Sequence, residues 1–266
     1  MVLRQSRRQR QKRLLTKRTT MEHWPAGYAR VILDTVDSTM SEAARRAASL
    51  ALPTWIMAQT QTGGRGRRGK PWIAPQGNLS ATLIYKPIAS PSDAARRSFL
   101  AANALYAALA IYVPADKLSL KWPNDVLLDG RKVAGILLEA SGQGASVDWL
   151  SIGIGVNLCN VPEGVENAAF GPTSLKANGG WDVTPEGFLT TLAGAFATQE
   201  AKLAQFGFNR IRQDWLTNAA RLGEVITAKT GNEDISGIFD TIDQDGNLVL
   251  ITATGPRSIA AAEVYF

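Results

Sequence analysis

Four glycines and four cations lie together in one short stretch of the chain, G-G-R-G-R-R-G-K at residues 63–70. Glycine allows backbone N–H groups to approach a ligand and adopts positive φ values, while arginine and lysine supply charge and several donors. A loop of this composition is suited to binding a phosphate or a carboxylate. Apolar, strand-like runs at 55–58 and 79–85 flank it, so we expect the loop to connect two strands.

Two nucleotide-binding fingerprints match this loop only in part. Residues 64–70 read as a P-loop, but Pro71 stands where a hydroxyl residue would hold Mg²⁺. Three of the glycines also read G-x-G-x-x-G, yet residues 71–77 contain two prolines and cannot open a helix. Both nucleotide folds are therefore disfavoured. For the loop taken alone, a basic linker or an RGG-type RNA-binding segment remains an alternative.

The composition excludes several kinds of catalytic site. The chain has 266 residues, 45% of them apolar, with one cysteine, Cys159, and one histidine, His23. Disulfides, Cys/His zinc sites and Ser-His-Asp triads therefore lack their parts. No run approaches the roughly 18 apolar residues that span a bilayer, and no apolar signal segment follows the basic start. We expect a cytoplasmic protein whose chemistry depends on carboxylates, cations, backbone dipoles and a bound hard metal.

The positive charge of the chain comes from its first 20 residues. The formal net charge is +6, and residues 1–20 hold eight arginines and lysines and no acid, which leaves a net charge of −2 for the remainder. We predict that residues 1–20 form a disordered basic tail, which a true start at Met21 would exclude from the protein. A nucleic-acid arm and an Arg-rich targeting peptide are the alternatives.

Periodicity and turn residues predict an α/β chain that ends in a small all-β segment. The predicted strands are at 30–33, 55–58, 79–85, 118–139 with a turn at Asp129-Gly130, and 149–158. The predicted helices are at 40–50, with Thr39 and Glu42 as a capping box, and at 92–112, 184–206 and 209–221. A long loop at 161–180, rich in Pro, Gly and Asn, precedes the last two helices. Residues 223–266 read as short strands with a hairpin at Asp245-Gly246.

Polar groups and bare backbone occur together in three predicted strands. Gly153 and Gly155 remove the side chains from one face of a strand, and Gly135 interrupts another, which allows a ligand to approach closely. Lys132 places a charge beside an apolar face, where it either meets a ligand or protects a sheet edge. The pair Asn124-Asp125 offers an amide and a carboxylate to a ligand or Mg²⁺, or else forms an Asx turn.

Five ordered motifs resemble those of the bacterial biotin protein ligases. They lie at residues 37–39, 61–69, 121–125, 132–139 and 153–157, and the resemblance extends over about residues 28–266. It implies an α/β catalytic domain with a mixed sheet at 21–221 and an SH3-like C-terminal domain at 222–266. Larger members carry a helix-turn-helix domain that the residues before the match are too few to form, so operator-specific repression is not expected.

The resemblance also implies an activity. Biotin's carboxylate would attack the α-phosphorus of ATP with Mg²⁺ present, giving biotinoyl-5′-AMP and pyrophosphate. A lysine of a biotin carboxyl carrier protein, from acetyl-CoA carboxylase or a related carboxylase, would then accept the biotin. This chemistry needs no enzyme nucleophile, in agreement with the composition. The expected partners include no membrane and no specific nucleic acid, and a homodimer is allowed.

Residue roles follow from the matched motifs, with Lys132 and Arg67 as the catalytic cations and Asp125 as the metal ligand. The resemblance places biotin against Ser38, Thr39, Gln61, Arg65, Gly66, Arg67, Lys132 and Gly135. It places ATP against Arg67, Arg68, Lys70, Trp72, Asn124, Asp125 and Asn157. The chain departs from the family at Met40, where asparagine is frequent, and at Lys70, where arginine is usual.

Two rival interpretations make different predictions. Lipoate protein ligases share the adenylation logic, but their His-Asp pair after a glycine cluster has no counterpart, because His23 lies far upstream. A basic RNA- or DNA-binding module would use the tail, the glycine loop and a small barrel. Such modules carry a basic face, whereas the net charge beyond residue 20 is slightly negative. A biotin ligase is therefore the preferred interpretation.

Overall fold

The computed structural model describes residues 23–87, 90–163, 170–180 and 183–266. Its larger sheet has seven strands in the order β1-β2-β3-β7-β6-β5-β4. These strands are β1 (Ala29–Val36), β2 (Thr54–Gln61), β3 (Leu79–Tyr85), β4 (Leu118–Lys121), β5 (Asp125–Leu128), β6 (Arg131–Ser141) and β7 (Trp149–Val156). β1 and β2 are parallel and the other neighbours antiparallel, so the mixed sheet is confirmed. The predicted tail at 1–20 lies outside the described residues.

The two faces of the large sheet differ in side-chain size. Leu79, Ala81 and Leu83 of β3 belong to the main hydrophobic core, because alternate residues of a strand point to one face. On the opposite face Ser80 pairs with Gly155, and Thr82 pairs with Gly153. Where β3 meets β7, one face therefore packs into the main core, and the other is a small-residue face.

Three helices cover the sheet, α1 (Thr39–Arg46), α2 (Pro91–Leu109) and α3 (Pro185–Thr217). Helices α2 and α3 pack on each other and on the apolar face, where Leu100, Phe188 and Phe196 are fully buried. Helix α1 packs against the other face through Ala43, next to Ile56. None of the helices in the described part of the chain combines the length and the apolarity needed to cross a bilayer.

The start of α1 differs from the prediction. Ser38 is the N-cap and no side chain caps the helix, while Glu42 pairs with Arg45 and Arg46 instead of with the backbone. The predicted capping box is therefore wrong here, because two nearby cations compete for the glutamate. The helix also ends at Arg46, before a short 3-10 turn at Ala47–Ser49. A capping box does occur at the start of α2.

Helix α3 contains the predicted break but ends earlier than expected. Gly207 has φ 71° and ψ 179°, which interrupts the helix between the two predicted segments. The second segment ends at Thr217 rather than Arg221. The reason is that the following backbone pairs with β4, since the N–H of Leu120 donates to Asn218 O and Ala220 N–H donates to Leu120 O. The loss of the last helical turn is compensated by sheet hydrogen bonds.

The C-terminal segment forms a separate sheet of five antiparallel strands in the order β11-β10-β9-β8-β12. They are β8 (Val225–Lys229), β9 (Asp234–Ile242), β10 (Leu248–Thr252), β11 (Gly255–Ile259) and β12 (Glu263–Tyr265). The predicted hairpin at Asp245-Gly246 joins β9 and β10, and Gly246 has the positive φ of 84° that such a turn requires. Phe239 and Leu250 of this sheet enter the same core cluster as Trp215 of α3.

Candidate active site

A cavity of about 530 Å³ lies where the small-residue face of the large sheet meets the glycine loop and the C-terminal sheet. This volume falls in the range of small-molecule sites, roughly 300–1,000 Å³. The structure brings together at this cavity all the residues to which the sequence assigned a binding role. They are Ser38, Thr39, Gln61, Arg65, Gly66, Arg67, Arg68, Lys70, Trp72, Asn124, Asp125, Lys132, Gly135 and Asn157.

The floor of the cavity is made of backbone. Gly135 of β6 lies opposite Gly155 of β7, and Gly153 follows on the same face. A Cβ atom at Gly155 would collide with the indole ring of Trp72, and one at Gly153 would lie 2.7 Å from the sulfur of Met40. The bare floor predicted from the glycines is therefore present, and it accommodates aromatic and thioether groups close to the sheet.

The glycine loop folds back on its own backbone. The N–H of Gly66 donates to Lys70 O at 2.7 Å, and the N–H of Trp72 donates to Gly64 O at 2.9 Å. Arg68 adopts a left-handed φ of 56° within a short 3-10 turn, Arg67–Gly69. The next regular element is strand β3, not a helix, so the loop is neither a P-loop nor a dinucleotide-binding turn.

Arg65 anchors this loop to the sheet. Its guanidinium makes two parallel hydrogen bonds to Glu139 of β6, at 3.0 Å and 2.8 Å, and another to Ser41 Oγ at 2.7 Å. These bonds to Glu139 raise the pKa of Arg65. Because protein groups already occupy the guanidinium, a contact from Arg65 to a ligand would come from its backbone. Glu139 had no role in the sequence interpretation, although it lies in a matched motif.

The polar groups at one end of the cavity form a chain of hydrogen bonds. Oε1 of Gln61 accepts from Thr39 N at 2.7 Å and from Thr39 Oγ1 at 3.0 Å. Thr82 Oγ1 in turn donates to Thr39 Oγ1 at 2.9 Å. Since Oε1 is taken by two donors, the amide nitrogen of Gln61 is the group left to donate to a ligand. This end of the cavity therefore suits an uncharged polar ligand group.

The opposite end is charged, with one carboxylate between two lysines. Asp125 Oδ1 lies 2.6 Å from Lys132 Nζ, and Oδ2 lies 3.8 Å from Lys121 Nζ. The side chain of Lys121 is only 8% exposed, and its ammonium lies 4.8 Å from the ring centroid of Phe170. Burial lowers the pKa of Lys121. The sequence interpretation gave this lysine no role, although it lies in the same motif as Asn124 and Asp125.

Two further side chains connect the charged end to its surroundings. Arg67 donates to Asn124 Oδ1 at 3.3 Å, and burial lowers the pKa of Arg67. Asn124 Nδ2 donates to Ile136 O at 2.6 Å, which fixes its amide. Asn157 is buried and donates to Thr173 O at 3.0 Å, so its amide also supports the loop at 170–180. A partly desolvated arginine beside two lysines gives this end a strong preference for anions.

The C-terminal sheet closes one side of the cavity. Lys70 of the glycine loop forms an ion pair of 2.5 Å with Glu263 of β12, and this bond lowers the pKa of Glu263. Val264 and Tyr265 also line the cavity. No local pattern indicates that these residues reach the cavity, because the contact of Lys70 with Glu263 joins segments almost 200 residues apart.

The residues present fit a metal only when phosphate oxygens complete its coordination. Among the described residues, no group of three or more His, Cys, Asp or Glu side chains could hold an ion alone. Asp125 supplies one carboxylate at the cavity wall. Mg²⁺ commonly binds through one or two carboxylates together with substrate phosphates and water. Asp125 therefore fits as the protein ligand of a Mg²⁺–nucleotide complex.

Two family profiles and several curated proteins match the chain. The profile of the Biotin/lipoate A/B protein ligase family matches residues 32–157, and that of the Biotin protein ligase C terminal domain matches 222–266. A biotin--[acetyl-CoA-carboxylase] ligase of Paracoccus denitrificans is 48% identical over 88% of this chain and 99% of its own length. The bifunctional ligase/repressor BirA of Escherichia coli K12 is 29% identical over 82% of this chain and 68% of its own.

A solved structure has the same architecture. The biotin protein ligase of Aquifex aeolicus in complex with biotin and ATP is 25% identical and superposes with a TM-score of 0.74, covering 89% of this chain and 98% of that one. The matched profiles include the glycine loop, the strand floor and the C-terminal sheet. With the Paracoccus relative matched over nearly its whole length, the chain belongs to the biotin protein ligase family.

Proposed function

We propose that this chain attaches biotin, in an ATP-dependent reaction, to one lysine of the biotin carboxyl carrier domain of acetyl-CoA carboxylase or a related carboxylase. The observation that carries the proposal is the cluster of Lys121, Lys132 and Arg67 beside a bare glycine floor in one cavity. A cluster of this kind can hold a carboxylate and a phosphate together. The name of the 48% identical relative supports the same activity.

The first step joins biotin to the nucleotide. A carboxylate oxygen of biotin attacks the α-phosphorus of ATP, and the bond from that phosphorus to the bridging oxygen of the β-phosphate breaks. The products are biotinoyl-5′-AMP and pyrophosphate. Lys132 and Arg67 hold the two anions together and stabilise the charge that develops between them. Lys121 adds a third cation whose charge is weakly screened, because it is buried.

The second step transfers the biotinoyl group. The amine of the carrier lysine attacks the carbonyl carbon of the mixed anhydride, the bond to the phosphate oxygen breaks, and AMP leaves while the nitrogen loses a proton. No enzyme nucleophile takes part, and the described residues lining the cavity include no cysteine or histidine. Mg²⁺, held by Asp125 and the phosphates, would neutralise the charge of the leaving pyrophosphate.

The two ends of the cavity divide the remaining roles. We assign the uncharged bicyclic end of biotin to the hydrogen-bonded end, and its chain and carboxylate to the path along the glycine floor. The residues assigned to biotin, besides Lys132 and Arg67, are Ser38, Thr39, Gln61, Gly66, Gly135 and the backbone of Arg65. Those assigned to ATP, besides Asp125 and Arg67, are Arg68, Lys70, Trp72, Asn124 and Asn157.

Two finer statements about partners belong to the same proposal. The chain binds no nucleic acid sequence-specifically, because the cations beyond residue 20 are balanced by acids. A homodimer is compatible with the fold, since β1 is an edge strand of the large sheet, and edge strands can pair with a second copy.

The test is direct labelling of a carrier domain. The full chain is incubated with ATP, Mg²⁺, biotin and a purified carrier domain, and the carrier is weighed by mass spectrometry. We expect the mass to increase by one biotinoyl group, and expect no increase when the acceptor lysine of the carrier is replaced by arginine. An unmodified carrier, or equal labelling with lipoate in place of biotin, would contradict the proposal.

A further inference from the structure

The turn between β4 and β5 has one side chain that faces away from the cavity. This turn, residues 122–124, follows Lys121 and precedes Asp125, so it connects two charged residues of the site. Trp122 is buried, with 3% of its surface exposed, and its indole N–H donates to the carbonyl of Gly246 at 3.0 Å. Gly246 belongs to the β9–β10 turn of the C-terminal sheet.

Three separate contacts hold the β4–β5 turn in place. Ser98 of α2 donates to Pro123 O at 3.3 Å. Asn124 donates to Ile136 O of β6 at 2.6 Å, and Ile136 N–H donates to Asn124 O at 2.9 Å. The third contact is Trp122 with Gly246. Two of these partners belong to the large sheet and its helices, and the third comes from the C-terminal sheet.

The β9–β10 turn is itself rigid and docked. The carboxylate of Asp243 accepts from the backbone N–H of Asp245 and of Asn247, both at 2.9 Å, and from Ser258 Oγ at 2.8 Å. Asp245 also forms an ion pair with Arg96 of α2 at 2.9 Å. A fixed turn of this kind can hold the carbonyl of Gly246 in one position relative to the large sheet.

We propose that the β9–β10 turn of the C-terminal sheet is a positioning element for the nucleotide end of the site. The carbonyl of Gly246 holds Trp122, and Trp122 in turn fixes the backbone that presents Asn124 and Asp125 to ATP. The inference rests on the proposed ligase function. It predicts a larger effect on the nucleotide than on biotin, because Thr39 and Gln61 at the other end of the cavity have no contact with this turn in the hydrogen bonds described above.

The test compares two tryptophan variants of the full chain. Trp122→Phe keeps an aromatic ring and removes the pyrrole part of the indole with its N–H donor. Trp55→Phe is the matched control, because Trp55 is also fully buried, lies outside the cavity, and its indole N–H has no partner among the described residues. We expect Trp122→Phe to raise the KM for ATP about tenfold, the effect of losing one buried hydrogen bond, while the Kd for biotin alone changes less than about twofold. The control should change neither by more than about twofold.

The change in the KM for ATP, compared with the change in the Kd for biotin, decides the outcome. A KM for ATP within about twofold of the parent, or an equal loss of biotin binding, overturns the proposal, since the second result is that of a general structural role. If Trp122→Phe does not fold, Gly246→Ala serves instead, because a Cβ there would press on Phe99 and displace the turn while keeping Trp122. The same criteria apply to it. Inactivity of the parent chain would refute the ligase function rather than this inference.

Discussion

The burial of the Lys121 ammonium lowers the stability of the folded protein and places a positive charge at the cavity wall, where a ligand can bind. Its ammonium is almost fully buried, and its nearest acid, Asp125, lies at 3.8 Å and is closer to Lys132. Burial lowers the pKa of Lys121, which means that the folded protein holds the charged form less readily than the unfolded chain does. A charge kept under these conditions at a cavity wall indicates a function in binding anions.

Replacing Lys132 should abolish most adenylate formation without unfolding the protein. We expect Lys132→Met to reduce the single-turnover rate of adenylate formation about a hundredfold or more, because a desolvated carboxylate loses its cationic partner. Lys117→Met is the control, since Lys117 also pairs with an aspartate, Asp129, but on the surface. A rate within about threefold of the parent at saturating biotin would show that Lys132 does not have the assigned role.

Replacing Lys121 should change stability and activity in opposite directions. Lys121→Met is expected to raise the free energy of unfolding and to weaken ATP binding at the same time. The gain in stability should be largest below the lowered folded pKa of Lys121, and should shrink as the pH rises toward the ordinary value of 10.5, where the unfolded chain also loses its proton. Urea unfolding at several pH values measures this. A variant that is less stable than the parent at neutral pH would be inconsistent with the burial argument.

The ion pair of Arg65 with Glu139 attaches the glycine loop to β6 of the large sheet. Arg65→Glu should lower adenylate formation at least about tenfold, because it places two carboxylates together and releases the loop. Adding Glu139→Arg restores the pair in reverse and should recover part of the rate. Arg257→Glu, which breaks an exposed pair with Glu233, is the control and should be near parental. A double variant no more active than Arg65→Glu would mean that the pair is not the anchor.

At the level of elements, the sequence predicts what periodicity and local turns determine. The strands, the glycine floor at Gly153 and Gly155, and the break near Gly207 all follow from local pattern, and the structure confirms them. The capping box at Glu42 and the end of α3 were wrong because distant or competing partners decided them. Local pattern cannot show which cation takes a carboxylate or where a helix end meets a sheet edge.

Local sequence pattern also predicts only part of the candidate site. Motif order was sufficient to collect many of the residues that line the cavity, which lie in the glycine loop, in or next to strands of the large sheet, or at the start of α1, but it gave Lys121 no role. A position of residues 223–266 near the site could be predicted, because their few short strands bury little core alone, but the particular contacts could not, because Glu263 and Gly246 reach Lys70 and Trp122 only after two separate sheets have packed together. Such contacts depend on tertiary packing between segments far apart in the chain, which periodicity does not encode.

The main hydrophobic core of the described residues extends from the large sheet into the C-terminal sheet. Phe239 of the C-terminal sheet lies 6.4 Å from Trp215 of α3, ring centroid to ring centroid, and Arg212 donates to the carbonyl of Ile242 and to Thr241 Oγ1. Removing the C-terminal sheet would therefore expose apolar surface on the larger part. Its role is better tested by single substitutions than by deletion.

A shared core predicts one cooperative unfolding transition. Thermal unfolding followed by far-UV circular dichroism should show one transition. Hydrogen exchange should give the same free energy of opening for the two sheets, because they lose their contacts together. Exchange is compared for amides of β9 and of β3. Two separate transitions, with β9 exchanging well before β3, would show that the C-terminal sheet folds independently of the site it closes.

The most direct test of the ligase function is exchange of labelled pyrophosphate into ATP in the absence of any carrier. Reversible formation of biotinoyl-5′-AMP makes this exchange depend on biotin, so we expect label in ATP with biotin present, almost none without it, and a large loss in Lys132→Met. Lipoate should not replace biotin. Exchange that is independent of biotin, or equally fast with lipoate, would contradict the assignment of this cavity to biotin adenylation.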